Sequence, residues 1–104
     1  MIIEKASEQN TAELADTDIL AADITSTQTA SIFRVMVAMS VAGIFRADIT
    51  KAGNSQVMSF NSGVNLVADC LYTFEHLVHA SDSINYQYSV NATLRVLRVQ
   101  EVVD

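Results

Sequence analysis

Ser31–Phe45 reads SIFRVMVAMSVAGIF, and its alternation decides the fold. The odd positions Phe33, Val35, Val37, Met39 and Val41 form an unbroken apolar row at the two-residue period of a β-strand. The even positions Ile32, Arg34, Met36, Ala38, Ser40 and Ala42 are small or apolar almost throughout. A strand with one face in solvent carries polar residues on that face, and this one carries only Arg34 and Ser40. Both faces are therefore expected to be covered, by a second sheet with an added flap or by a copy of the same chain.

The same rhythm continues toward the C-terminus. Ile44–Thr50 alternates with Phe45, Ala47 and Ile49 on one face, and Ala52-Gly53-Asn54-Ser55 has the composition of a hairpin turn. Gln56–Phe60 and Leu71–Val78 read as strands, followed by turns at Asn61-Ser62-Gly63 and Ser81-Asp82-Ser83. Ile84–Val90 sets Ile84, Tyr86, Tyr88 and Val90 against Asn85, Gln87 and Ser89. Thr93–Val103 begins with Leu94 and Val96 inward and shifts phase to Leu97 and Val99, as a β-bulge does. Before residue 29 the pattern is weak. Ile2-Ile3, Ala12–Leu14 and Ile19–Ile24 are candidate edge strands around an Asp16-Thr17-Asp18 turn. Ser7–Leu14 also suits a short helix, but the spread of Thr17, Thr25, Thr27 and Thr29 favours extended chain. Turns recur roughly every 8–12 residues with no helix between them, which predicts an antiparallel all-β sandwich or barrel of about eight strands.

The 104 residues suit one domain. Hydrophobic residues make up 50% and charged ones 17%, against about 25% charged in ordinary soluble domains. That balance implies apolar surface hidden between subunits. The net charge of -6 is concentrated in residues 1–28, where Glu4, Glu8, Glu13, Asp16, Asp18 and Asp23 face Lys5 alone. The chain therefore divides into an acidic N-terminal segment, residues 1–28, and a β-sandwich domain, residues 29–104. The segment serves either as a docking arm or as edge strands. Acidity on this scale repels a nucleic-acid backbone. Cys70 is the one cysteine, so no internal disulfide forms, and the opening Met1-Ile2-Ile3-Glu4 lacks the form of a signal peptide. The longest uncharged apolar run, Val35–Phe45, is far short of the ~20 residues of a membrane-spanning helix. A soluble protein without membrane contact is expected.

Asp69, Cys70, Glu75, His76 and His79 include every common metal-ligand type. In a strand, however, His76 and His79 point to opposite faces. No metal, cofactor or catalytic set is expected. Cys70, among Val67, Ala68 and Leu71, reads as a small buried hydrophobe, and there is neither a glycine-rich phosphate loop nor a G-x-S-x-G motif. Tyr72, Tyr86 and Tyr88 are the candidates for stacking on a sugar ring, but they lie on apolar strand faces and read as core tyrosines. Arg34 suits an ion pair across a subunit interface or a snorkelling surface position.

Cys70–Val102, CLYTFEHLVHASDSINYQYSVNATLRVLRVQEV, joins an extended strand, a turn with Asp, an I-N-polar-aromatic-S stretch and A-T-L-x-x-L-x-V-x-E-V. With the strands from Ser31 to Phe60, this resembles the small jelly-roll decoration (cement) or spike-tip proteins of tailed-virus capsids. The resemblance implies a jelly roll, a homotrimer and a non-enzymatic role stabilising a capsid lattice. Its partners would be further copies of itself and a major capsid or other virion protein, and its location the virion, assembled in the host cytoplasm. On this reading Ile32, Arg34, Met36 and Ala38 form the subunit interface, while Glu4, Glu8, Glu13, Asp16 and Asp18 dock on the capsid. The alternative is a carbohydrate- or receptor-binding β-sandwich module.

Overall fold

The two rows of Ser31–Phe45 separate cleanly in the computed structural model, which describes residues 1–103. Among the described residues seven strands form: β1 (Ile2–Glu13), β2 (Ala30–Met39), β3 (Phe45–Lys51), β4 (Asn54–Ser59), β5 (Tyr72–His79), β6 (Asp82–Tyr88) and β7 (Ala92–Val102). They pair antiparallel in two sheets, ordered β1-β7-β2-β5 and β4-β3-β6, which face each other as a sandwich. Phe33, Val35, Val37 and Met39 are fully buried between the sheets, and Val41, past the end of β2, is exposed. The even row of β2 faces away from the core.

The core is tied across the gap by aromatic rings. Tyr72 stacks on Phe74 with centroids 5.9 Å apart, Phe74 on Phe60 at 5.0 Å, Phe60 on Phe45 at 5.3 Å and Phe45 on Tyr86 at 5.6 Å. Offset ring pairs of this kind stabilise by about 0.5–1.5 kcal/mol beyond the area they bury. The stack runs from β5 in one sheet to β3 and β6 in the other, so the sheets cannot slide without breaking it.

Three expectations are corrected. The phase change in β7 is present, but the extra residue is Arg95: Ala38 pairs with Val96 and Met39 with Leu94, so Leu94 stays inward while Val96 turns out. The N-terminal segment is not a set of short pieces. Residues 2–13 form one edge strand that pairs with β7 from Ile2↔Val102 to Glu13↔Ala92, and β7 supplies the ladder that the weak pattern of β1 does not announce. Residues 14–28 form no regular strand, yet they cover the free edge of β6. The Ile19 N–H donates to the Tyr86 carbonyl at 2.8 Å, and Ile24 and Ile84 exchange bonds at 2.9 and 2.8 Å. Finally, Cys70 is exposed. It sits in the 64–71 connection, which sends only Leu66 into the core and leaves Val64, Val67, Cys70 and Leu71 exposed.

Gly43 is fixed by contact. A β-carbon there would lie 2.8 Å from Tyr88 Cε2 and 2.9 Å from Val90 Cγ2. Tyr88 cannot yield, since its ring is buried and its hydroxyl donates to the Val41 carbonyl at 2.6 Å. Gly43→Ala should therefore destabilise by about 1–3 kcal/mol, the usual cost of overpacking. Chemical denaturation checks this, and an unchanged midpoint would show that Tyr88 moves freely.

Candidate functional site

Register assembles one surface on the outside of the β1-β7-β2-β5 sheet. Ile2 pairs with Val102, Val102 with Ile32 and Ile32 with Leu77, so four apolar side chains cross all four strands in one row. Ile2 is 47%, Ile32 39% and Leu77 52% exposed. The next row is Glu4, Gln100, Arg34 and Glu75. Its charges pair within the face: Arg98 holds Glu4 at 2.7 Å and Arg34 approaches Glu75 at 3.3 Å. The hydrogen bonds from Arg98 and Gln100 hold the Glu4 carboxyl below its ordinary value. Exposed pairs of this kind add little stability, so they leave the face open to a partner.

A second feature lies at one end of the sandwich. Lys51 and Asp82 are cross-strand partners on β3 and β6. With Thr29, Ala52 and His79–Ser81 they surround a cavity of about 510 Å³. Asp82 is only 3% exposed. The Lys51 ammonium donates to its Oδ2 at 2.7 Å and the His79 N–H at 3.3 Å. The Lys51 bond holds the Asp82 carboxyl below its ordinary value against the opposing effect of burial.

Two more titratable groups are sealed in the interior. Glu101 has no exposed surface. It accepts hydrogen bonds from Ser31 Oγ at 2.7 Å, the Thr27 N–H at 2.8 Å and Ser26 Oγ at 3.1 Å, with Lys5 Nζ 3.7 Å away. Burial alone would raise its pKa; the bonds from Ser31, Thr27 and Ser26 outweigh that and hold it below the usual value. His76 is buried against Phe33, Phe60 and Tyr86, with Nε2 2.8 Å from the Tyr86 hydroxyl and no partner for Nδ1. Burial holds its imidazole down at about 4.

The residues expected at a subunit interface, Ile32, Arg34, Met36 and Ala38, share the outer face, although Ala38 is covered by its neighbours. The expected docking acids are not brought together. Glu4 lies on that same outer face, Glu8 is exposed along β1 and Glu13 sits half-buried at its end. Asp16 and Asp18 lie beside the other sheet, where Asp16 accepts from Arg46 at 2.7 Å and Asp18 from the Gln87 amide at 2.9 Å. Asp69 pairs with Arg95 at 2.9 Å, Glu75 faces outward, His76 is sealed and His79 lines the cavity, so these four point to different surroundings. Among the described residues no three His, Cys, Asp or Glu side chains form a metal-binding group, and no helix is long and apolar enough to cross a membrane. Tyr86 and Tyr88 are buried, and Tyr72 is half-buried, its hydroxyl accepting from the Val67 N–H at 2.9 Å. Sequence reasoning missed Lys51, Asp82 and Glu101. Glu101 had a signal: it continues the inward row of Leu97 and Val99.

No family model matches the chain, and no curated protein matches it. Among solved structures it is similar to a carbohydrate-binding module titled "BiXyn10A CBM1 APO", with a TM-score of 0.43 and 11% identity over 95% of each chain.

His76 makes stability depend on pH. Its ordinary value is 6.5 and its folded value about 4. Between these the unfolded chain binds the proton and the folded chain does not, so stability falls on acidification. A contribution on the order of 3 kcal/mol is fully present above pH 6.5 and is lost as the pH drops toward 4. Urea midpoints should fall across this window for the parent, and His76→Gln should flatten the slope. An equal slope in the variant would place the titration elsewhere.

Proposed function

We propose that this chain is a non-catalytic assembly protein, a jelly roll whose copies join through the outer face of the β1-β7-β2-β5 sheet. The part it plays is that of a virion decoration protein, seated as a homotrimer where capsid subunits meet. The observation that carries the reading is the apolar row Ile2, Val102, Ile32 and Leu77, which crosses an entire sheet in contact with water. Contiguous exposed apolar surface marks an interaction site. The occupant is a second copy, because the face offers both halves of a contact: an apolar row, and beside it Arg34 and Arg98 together with Glu4 and Glu75.

The strand order supports the jelly-roll reading. If residues 14–28 count as an irregular strand beside β6, the chain runs β1, 14–28, β2, β3, β4, β5, β6, β7 and crosses between the sheets at every step except the β3–β4 hairpin. With the outer face occupied by sister copies, Asp16, Asp18 and Asp23 remain exposed on the far side for a basic lattice surface. Three such contacts on one trimer multiply modest affinities through effective concentration, and binding to the closed lattice alone raises the free energy of opening it.

Light scattering on the purified protein should give a mass three times that of the 11.3 kDa chain. Leu77→Asp and Ile32→Asp should dissociate it, because each would bury an unpaired carboxylate. Val64→Asp, an equally exposed aliphatic position outside the face, should not. A monomer at micromolar concentration, or equal tolerance of the three changes, would sink the reading.

A further inference from the structure

The cavity at the Lys51–Asp82 end is not absorbed by assembly through the sheet face. We propose that it binds a neutral polyhydroxylated ligand, the vicinal diol of a saccharide ring, between Asp82 and Lys51.

The case starts from the carboxylate. Asp82 is almost wholly buried, and its Oδ2 is taken by Lys51 and the His79 N–H. Oδ1 has no partner among the described residues. His76 Nδ1 is the one sealed side-chain polar atom without a partner there, so Asp82 Oδ1 keeps some accessible surface, and Asp82 lines the cavity. An accessible carboxylate oxygen with no partner in the chain can accept a hydrogen bond from a ligand hydroxyl in place of water. Lys51 Nζ has three N–H donors, of which Asp82 uses one, and the side chain is 46% exposed. The site therefore presents a free acceptor and free donors side by side.

The signs decide the ligand. An anion drawn to Lys51 would meet the Asp82 carboxylate, and a cation drawn to Asp82 would meet the Lys51 ammonium. A neutral hydroxyl escapes both repulsions: one hydroxyl of a diol donates to Oδ1 and its neighbour accepts from Nζ. Thr29 and Ser81, which carry hydroxyls, and Ala52 and Ala80, whose small apolar side chains suit the C–H face of a sugar ring, also line the cavity. The pair is held in place by strand register rather than by a loop, since Lys51 and Asp82 are direct partners in the β3–β6 ladder. Ala52 holds φ 50° because it and Gly53 form the two-residue hairpin turn that links β3 to β4 beside the cavity. The volume, about 510 Å³, falls within the roughly 300–1,000 Å³ of small-molecule pockets. Without a stacked aromatic ring the affinity should be on the order of millimolar.

The test is ¹H–¹⁵N NMR of the full chain, titrated separately with D-glucose, D-galactose, D-mannose and N-acetyl-D-glucosamine to tens of millimolar. Sodium phosphate and methylammonium chloride serve as the anionic and cationic arms. At least one sugar should produce saturable shifts at the amides of Lys51, Ala52 and Ala80–Asp82, at lower concentration than either ion. Lys51→Met and Asp82→Asn should each weaken that binding at least tenfold. If one variant loses the parental spectrum, the other carries the comparison, and the ranking of sugars against ions on the parent stands as a separate test. No saturable shift with any of the four sugars, tighter binding of phosphate or methylammonium, or parental affinity in a folded variant would overturn the proposal.

Discussion

The carboxylate of Glu101 sets the constraint that the N-terminal third of the chain satisfies. A fully buried charge costs several kcal/mol unless it is hydrogen-bonded and paired. Here the partners come from three separate places: Lys5 on β1, Ser26 and Thr27 in the irregular segment, and Ser31 on β2. Each of these elements must therefore sit where it does. The register of β1 shifts between Glu4 and Ala6, at the residue whose ammonium reaches inward. The 25–29 connection is held against β7 because Ser26 and Thr27 donate to the Glu101 carboxylate. A leucine at position 101 would satisfy the apolar row of β7 but would leave those donors without a partner.

Glu101 and the aromatic stack divide the work of closing the sandwich. The rings of Tyr72, Phe74, Phe60, Phe45 and Tyr86 join the sheets on the β5 side. The anion and its partners tie β1, β7 and β2 of one sheet to the connection that carries Ser26 and Thr27. The rings thus hold the two sheets against each other, and the anion fixes β1, β2, β7 and the entering connection relative to one another.

What the sequence disclosed follows the same division. β2 was legible because both of its rows are nearly apolar, and β6 because Ile84, Tyr86 and Tyr88 alternate without a fault. β1 was not, since an edge strand half in solvent needs no alternation of its own when β7 provides its ladder. The bulge in β7 could be sensed but not placed: Leu94 and Val96 look alike in periodicity, and only pairing with Ala38 and Met39 shows that Arg95 is the extra residue. Cys70 was misjudged because apolar neighbours do not imply burial when they share an outside loop. The cavity was invisible, as Lys51 and Asp82 are 31 residues apart and meet only through the β3–β6 register. The outer face was visible in part. The even row of β2 announced it, but its continuation through Ile2, Val102 and Leu77 required the strand order.

The place of β7 bears on the time at which the fold can form. β7 is the last of the seven strands in chain order, yet it lies between β1, the first, and β2, the second. A ribosome therefore releases β1 and β2 long before the strand that joins them exists. Until then the apolar edge of β2 has only β5 as a possible neighbour, and Glu101 has not yet been made. The hydroxyls of Ser26, Thr27 and Ser31 wait in water for their acceptor. Pairings between strands so distant along the chain close slowly, and the chain is most open to association with other copies before β7 is made. Folding of this sandwich thus waits for β7 rather than proceeding strand by strand.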